Sequence, residues 1–299
     1  MDPDPGAELP MPTEPRVPDP ARVTASSVVD VSPSRHLSIA LLVGAVVLAA
    51  CTGGGGSSPP PDGSSTTTRP APPTSTTTTL PPVADALGTL STAVATHDPS
   101  ALDSAARVAV PGSPAAEYLG FQSAVLSVIG EQPPGRVEPA GTDSFRVCDI
   151  SQSTSTCRVL SDPVFGPDGR LENFTIDGIS LDGRITSDGP EVASSDVRMQ
   201  AVAALQAIPS GDLVVVVEVR NLRDSAILVN AFAAVYRSPD GGRMEVRSTA
   251  GDDRAEPGDG VRFLVVVPSS PVGGLLEVPG TSDGFDDPYL VRVPVSPTP

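Results

Sequence analysis

The chain has 299 residues, with 36 acidic side chains against 19 basic ones and a formal net charge of −17. Every basic residue is arginine, which excludes chemistry that needs a lysine: Schiff bases, a P-loop lysine or a Ser/Lys dyad. An acidic chain whose arginines are scattered singly repels phosphate backbones, so nucleic acid is not expected as a partner.

Residues 1–36 are rich in proline and carry Asp2, Asp4, Glu8, Glu14, Asp19 and Asp30. Such a stretch cannot bury a core. It is expected either to be a disordered extension or to precede a true start near Val28 or Val31. Residues 37–51 then read LSIALLVGAVVLAAC. The fourteen uncharged residues Leu37–Ala50 would rise about 21 Å as a helix, too little for a hydrocarbon core of about 30 Å and typical of a signal h-region.

The last four, Leu48, Ala49, Ala50 and Cys51, resemble the lipobox of bacterial lipoprotein signals, here of a type found on actinobacterial surface proteins. The resemblance implies that the Cys51 thiol takes a diacylglyceryl group and that Cys51 becomes the mature N-terminus. The protein would then sit on the extracytoplasmic face of the cell membrane. An ordinary secretory signal cut at Ala-x-Ala, or a plain buried cysteine, are the alternatives. The mature chain would hold 16 arginines against 30 acids, a formal −14.

Residues 52–82 are Gly, Ser, Pro and Thr in nearly every position. A tract of this kind reads as an extended stalk, reaching up to about 90 Å at about 3 Å per residue. Thr66–Thr68 and Thr76–Thr79 beside prolines are candidate O-glycosylation sites, or simply part of a soluble spacer.

Helical periodicity starts at residue 83, where Val83, Leu87, Leu90 and Val94 recur every three or four positions. Asp98-Pro99 predicts an N-cap and first turn for a short second helix to about Arg107. Ser113-Pro114 predicts a third, over about 114–129, with a stripe of Tyr118, Phe121 or Gln122, Val125, Leu126 and Ile129, ending at Gly130. Strand patterns follow at Phe145–Ile150, Thr156–Leu160 and within 170–185, separated by GPDG, DG and LDG turns. Residues 83–190 therefore predict an α+β module, helices first and an antiparallel meander second. Its element order is similar to cystatin-like and nuclear-transport-factor-like cones.

Cys148 and Cys157 flank the polar, turn-prone SQSTS segment. A hairpin there places the two thiols opposite one another for a disulfide. A redox pair or metal site would want CxxC spacing and nearby histidines, which are missing.

Residues 191–295 are all β in pattern: GDLVVVVEVRN, SAILVNAFAAVYRSPDGG, GRMEVRST, PGDGVRFLVVVP and YLVRVPV, separated by Gly, Pro and Asp turns. The strand ending Val219-Arg220-Asn221, the turn at Asp240-Gly241 and the PGD at Pro257–Asp259 resemble immunoglobulin-like sandwiches of secreted and surface lipoproteins. The resemblance implies an all-β immunoglobulin-like sandwich with Asn221 and the PGD turn satisfying backbone groups at its corners. The Cys/Trp/Cys signature of antibody domains is absent, since the chain has no tryptophan. Residues 296–299 are a short tail.

Chemistry is sparse in what remains. His97 is the only histidine after Cys51, and its THDP context predicts a helix-end imidazole rather than a general base. No HExxH or S-x-x-K string occurs. Asp168, Asp177, Asp182 and Asp188 cluster in sequence, but the first three each precede glycine as turn residues do, and their spacing is not that of an EF-hand. A sugar cleft lacks aromatic platforms, with only Tyr118, Tyr236 and Tyr289 besides phenylalanines. Asn173-Phe174-Thr175 fits an N-glycosylation triplet but lies within a strand pattern.

The expectation is a non-enzymatic, membrane-anchored surface lipoprotein with no cofactor or metal, whose stalk presents two modules to a protein or cell-wall partner. The alternatives are an extracytoplasmic carrier with an apolar pocket near Phe121, Leu126 and Phe174, and a carboxylate-dependent hydrolase.

Overall fold

A computed structural model describes residues 83–150 and 155–296. The expected h-region, Cys51 and the stalk lie outside the described residues. The fold is largely β, with few helices and many antiparallel strands.

Three helices open it: α1 (Val83–Thr96), α2 (Pro99–Ala105) and α3 (Pro114–Ile129). Their ends follow from local chemistry. The Asp98 carboxylate accepts the Ser100 N–H at 2.9 Å, with Pro99 as first helical residue. Ser113 Oγ accepts the Ala116 N–H at 3.4 Å ahead of α3, and Gly130 closes that helix at φ +74°. In α1, Leu87, Leu90 and Val94 are buried as the periodicity predicts. Helix α3 departs from a single stripe: Ala115, Tyr118, Leu119, Phe121, Ala124 and Leu126 are all buried. A helix apolar on more than one side must be covered on more than one side.

The cover comes from two sheets. The first is an antiparallel meander of β1 (Arg136–Gly141), β2 (Ser144–Ile150), β3 (Ser155–Phe165), β4 (Leu171–Ile176) and β5 (Ile179–Ser180), paired in chain order. Tyr118 of α3 meets Phe174 of β4 edge to face, with ring centroids 5.4 Å apart. The remaining strands are β6 (Ile185–Ser187), β7 (Val192–Ser194), β8 (Val197–Gln206), β9 (Leu213–Asn221), β10 (Ile227–Val229), β11 (Val235–Arg237), β12 (Arg243–Glu245), β13 (Ser248–Gly251), β14 (Arg254–Ala255), β15 (Gly260–Val267), β16 (Leu275–Ser282) and β17 (Pro288–Pro294). A second sheet runs β13-β15-β9-β8-β6, with β7 also on β8. A third runs β12-β11-β16-β10-β14, with β17 on β16. Strand β6 falls inside 83–190 yet pairs with β8, because Ile185 and Thr186 are buried and need that ladder.

The second sheet is buried on both faces. Val215, Val217, Val219, Phe263 and Val265 share one core with Tyr236, Leu276, Val278 and Val291 of the third sheet. Ala203, Leu205, Val216, Leu264 and Val266 join the helices and the first sheet in another. Cross-strand rows make the division visible: Ala203, Val216 and Leu264 lie in register on the helix side, and Ala204, Val215 and Val265 on the other. Gly251, at φ +99°, allows a close approach of helix and sheet, since a Cβ there would sit 2.7 Å from Val128 Cγ1 and 2.5 Å from the Arg262 carbonyl oxygen.

Two of the longest strands, β8 and β16, are missing from the sequence-based strand pattern. In β8 the register shifts between Ala201 and Ala203, so inward positions change from odd to even number and the alternation of VRMQAVAALQ is lost. Strand β16 contains Pro279. Its carbonyl accepts the Asn230 N–H at 2.9 Å, so its imide nitrogen faces the same side, in the gap between β10 and β11 where no ladder bond is needed. That gap also splits the expected SAILVNAFAAVYR strand. Asn230 Oδ1 accepts the Ala233 N–H at 3.2 Å and starts a single 3₁₀ turn, Ala231–Ala233.

Asn221 is fully buried at the end of β9. Its Nδ2 donates to the carbonyls of Ser225 at 2.9 Å and Ala255 at 3.1 Å, and its Oδ1 accepts the Arg223 N–H at 3.0 Å. Its backbone carbonyl takes the Gly258 N–H of the PGD turn at 3.0 Å. Asn221→Ala should cost about 3 kcal/mol, about 1 per side-chain hydrogen bond lost, read as a shifted urea midpoint with unchanged slope.

Candidate functional site

The turn aspartates do not converge. Asp168 accepts the Arg170 N–H at 3.1 Å and pairs with its guanidinium, contacts that hold its carboxyl below the usual range, the backbone bond foremost. Asp177, at φ +50°, accepts the Val159 N–H at 2.8 Å, and Asp182 accepts the Ser180 hydroxyl at 2.8 Å. Asp188 lies close enough to Glu117 of α3 to raise its carboxyl, an effect second to burial and opposed by the Ser187 hydroxyl. Among the described residues no three His, Cys, Asp or Glu side chains gather as a metal site would require. Asn173 is buried in β4, its Nδ2 donating to Ser180 Oγ at 3.2 Å. Phe121, Leu126 and Phe174 are buried members of one packed core.

His97 follows α1 in the left-handed region, at φ +52°. Its Nδ1 lies 2.7 Å from the Pro133 carbonyl oxygen and its Nε2 lies 3.2 Å from Asp149 Oδ1. Both partners only accept, so only the doubly protonated ring satisfies both. The Asp149 hydrogen bond is the largest influence and raises the pKa above the ordinary value, with the Pro133 carbonyl adding and burial opposing. With both nitrogens engaged, none is left to take a proton from a nucleophile in this geometry. The ring instead ties the end of α1 to the loop before β1 and to β2. Gly135 reinforces the tie by donating its N–H to the Ala95 carbonyl at 2.6 Å.

Cys148 and Cys157 stand directly opposite in the β2–β3 ladder and are bonded, with Cα atoms 4.0 Å apart. The disulfide is one residue from Asp149, so the same hairpin carries both the covalent link and the imidazole's partner.

At one end of the second and third sheets, three turns meet around an open groove of about 470 Å³ whose lining includes Ser195, Asp196, Leu222, Arg223, Asp224 and Asp287. Arg223 is its organising residue, with a side chain only 10% exposed. Its Nε donates to the Ser195 carbonyl at 2.7 Å and its Nη1 to Asp287 at 2.6 Å. Its guanidinium carbon lies 5.3 Å from the Tyr289 ring centroid, while Nη2 is buried without a hydrogen-bond acceptor. One guanidinium thus holds the β7–β8 turn, its own β9–β10 loop and the β16–β17 turn together. Ser195 and Asp196, both at positive φ, form the two-residue turn that β7 and β8 require. Sequence reasoning passed over Arg223 and Asp287. The available signal was the pair of polar turns NLRDS and SDGFDDP, the second rich in aspartate and with a phenylalanine outside any apolar period.

No protein-family model matches the chain, and no curated protein matches it significantly. Among solved structures the yjhA protein from Bacillus subtilis is similar over 36% of this chain and 98% of its own, at 13% identity and a TM-score of 0.28. A likeness that distant carries no functional argument.

Two outcomes follow from the His97 and cysteine geometry. A histidine whose folded pKa is raised stabilises fully below its unfolded value of about 6.5, and the contribution fades as pH climbs through the folded value. His97→Gln should therefore lower stability by at most about 1 kcal/mol at pH 5.5, with the gap to wild type closing toward pH 8 in denaturant titrations. Replacing Cys148 and Cys157 together by serine should cost about 2 to 3 kcal/mol, and in exported wild-type protein neither thiol should alkylate before reduction.

Proposed function

We propose that the protein is a membrane-anchored surface lipoprotein that binds and presents rather than transforms a substrate. In this reading Cys51 carries the diacylglyceryl anchor and residues 52–82 are the stalk. The head is an α+β module followed by an immunoglobulin-like sandwich. The observation that carries it is the Cys148–Cys157 disulfide between β2 and β3, because such bonds persist in oxidising compartments outside the cytoplasm and so support export. The short apolar run ending in Leu-Ala-Ala-Cys supports a lipid anchor over free secretion. A binding role is supported by the use of His97 and the turn aspartates in holding backbone together. The groove around Arg223 offers a contact surface on turns set by a rigid double sheet, where recognition residues commonly lie.

Cys51→Ser tests the anchor. Labelled palmitate should no longer enter the protein, which should pass from the membrane fraction to the medium or remain as an uncleaved precursor. Palmitate-labelled, detergent-phase protein at wild-type level in this variant would defeat the assignment.

A further inference from the structure

The β16–β17 turn is held rigidly while exposing an apolar tip. Arg223 grips Asp287 at 2.6 Å on one shoulder, and Arg254 grips both oxygens of Asp283, at 2.5 and 3.1 Å, on the other. The Asp283 N–H donates to the Ala226 carbonyl at 3.0 Å and the Phe285 N–H to that of Ser282 at 2.9 Å. Between the clamps Phe285 is 73% exposed, and Leu222, on the groove's wall, is 50% exposed. An exposed phenylalanine forgoes the burial that would stabilise it. Held in place beforehand, it loses little conformational freedom when a partner covers it, as interface anchors do.

The surrounding charge selects the partner. Asp283 and Asp287 are paired with arginines, Arg254 being shared between Asp283 and Glu256, whereas Asp196, Asp224 and Asp286 are exposed and, among the described residues, pair with no cation. An anionic lipid surface or phosphate polymer would be repelled there and a cation drawn in. Arg223, which lines the groove, keeps a buried donor, Nη2, without an acceptor. A polypeptide brings carbonyl acceptors and basic side chains together.

We propose that this end of the double sheet docks a cationic polypeptide segment, a stretch with Lys or Arg beside an apolar residue, on a protein of the cell envelope. Its apolar residue packs against Phe285 and Leu222 while its cations face Asp196, Asp224 and Asp286. The proposal rests on the reading of the head as a binding module and names that partner's chemistry.

The test uses the full chain bearing Cys51→Ser, immobilised, so that its outcome does not depend on lipidation. The probes are two matched libraries of short synthetic peptides, each with one Leu or Phe, one set carrying Lys or Arg and the other Gln at the same positions. The basic set should be retained about tenfold over the Gln set at low salt, with the preference shrinking at high salt. Phe285→Ser, and separately Asp224→Asn with Asp286→Asn, should each weaken retention about tenfold, with circular dichroism and melting unchanged because all three side chains are exposed. Equal retention of both sets, retention indifferent to either variant, or binding to phosphatidylglycerol vesicles in place of the peptides would overturn it. Any of these would leave the membrane anchor standing, because palmitate labelling reads that independently.

Discussion

A β-sheet covered on both faces is the constraint from which the rest of this molecule follows. Strands β8, β9 and β15 give one set of side chains to the third sheet and the other to α3 and the helical core. Such strands must be apolar at nearly every position, which is why β9 reads LVVVV and β15 FLVVV. Helix α3 answers the same demand, apolar on more than one side because it lies between two sheets. Gly251 is the point at which a side chain would force the layers apart. Helices and strands therefore share one continuous core across the position where composition alone would divide them.

Once both faces are committed to packing, polar work falls to the sheet's ends. At the groove end, Asn221 is fully buried and saturates three neighbouring backbone groups, while Arg223 bridges two other turns and lies against Tyr289. Unpaired, such groups would be costly in a low-dielectric interior, and satisfied they fix the loops that bear them. The tip carrying Phe285 is tied to the same turns through the Arg223–Asp287 pair, which leaves its ring exposed.

The hairpin of β2 and β3 shows the same economy by other means. It lies over α1, where the Phe145 ring packs on Gly88. The disulfide closes its strands, and Asp149 beside it draws the His97 imidazole at the end of α1. The imidazole's two contacts join helix, loop and hairpin there, and the covalent bond closes the hairpin on itself. A histidine used in this way contributes most in mildly acidic surroundings and has no free nitrogen for proton transfer.

Local chemistry in the sequence determined the helices and their ends, through Asp98-Pro99, Ser113-Pro114 and Gly130, because capping is decided within a few residues. It likewise determined the cysteine pairing across a short turn and the strands that alternate or run apolar without interruption. The tertiary structure decided what depends on partners far along the chain. The register shift in β8 hides its alternation, and Pro279 is tolerated in β16 only because β10 and β11 leave a gap beside it. Pairing β6 with β8 carries the meander into the second sheet. The loop-end groove belongs to the same class, since Asp196, Arg223 and Asp287 are brought together by three turns distant in sequence. No periodicity of a single segment encodes that meeting, whereas the packing of two sheets enforces it.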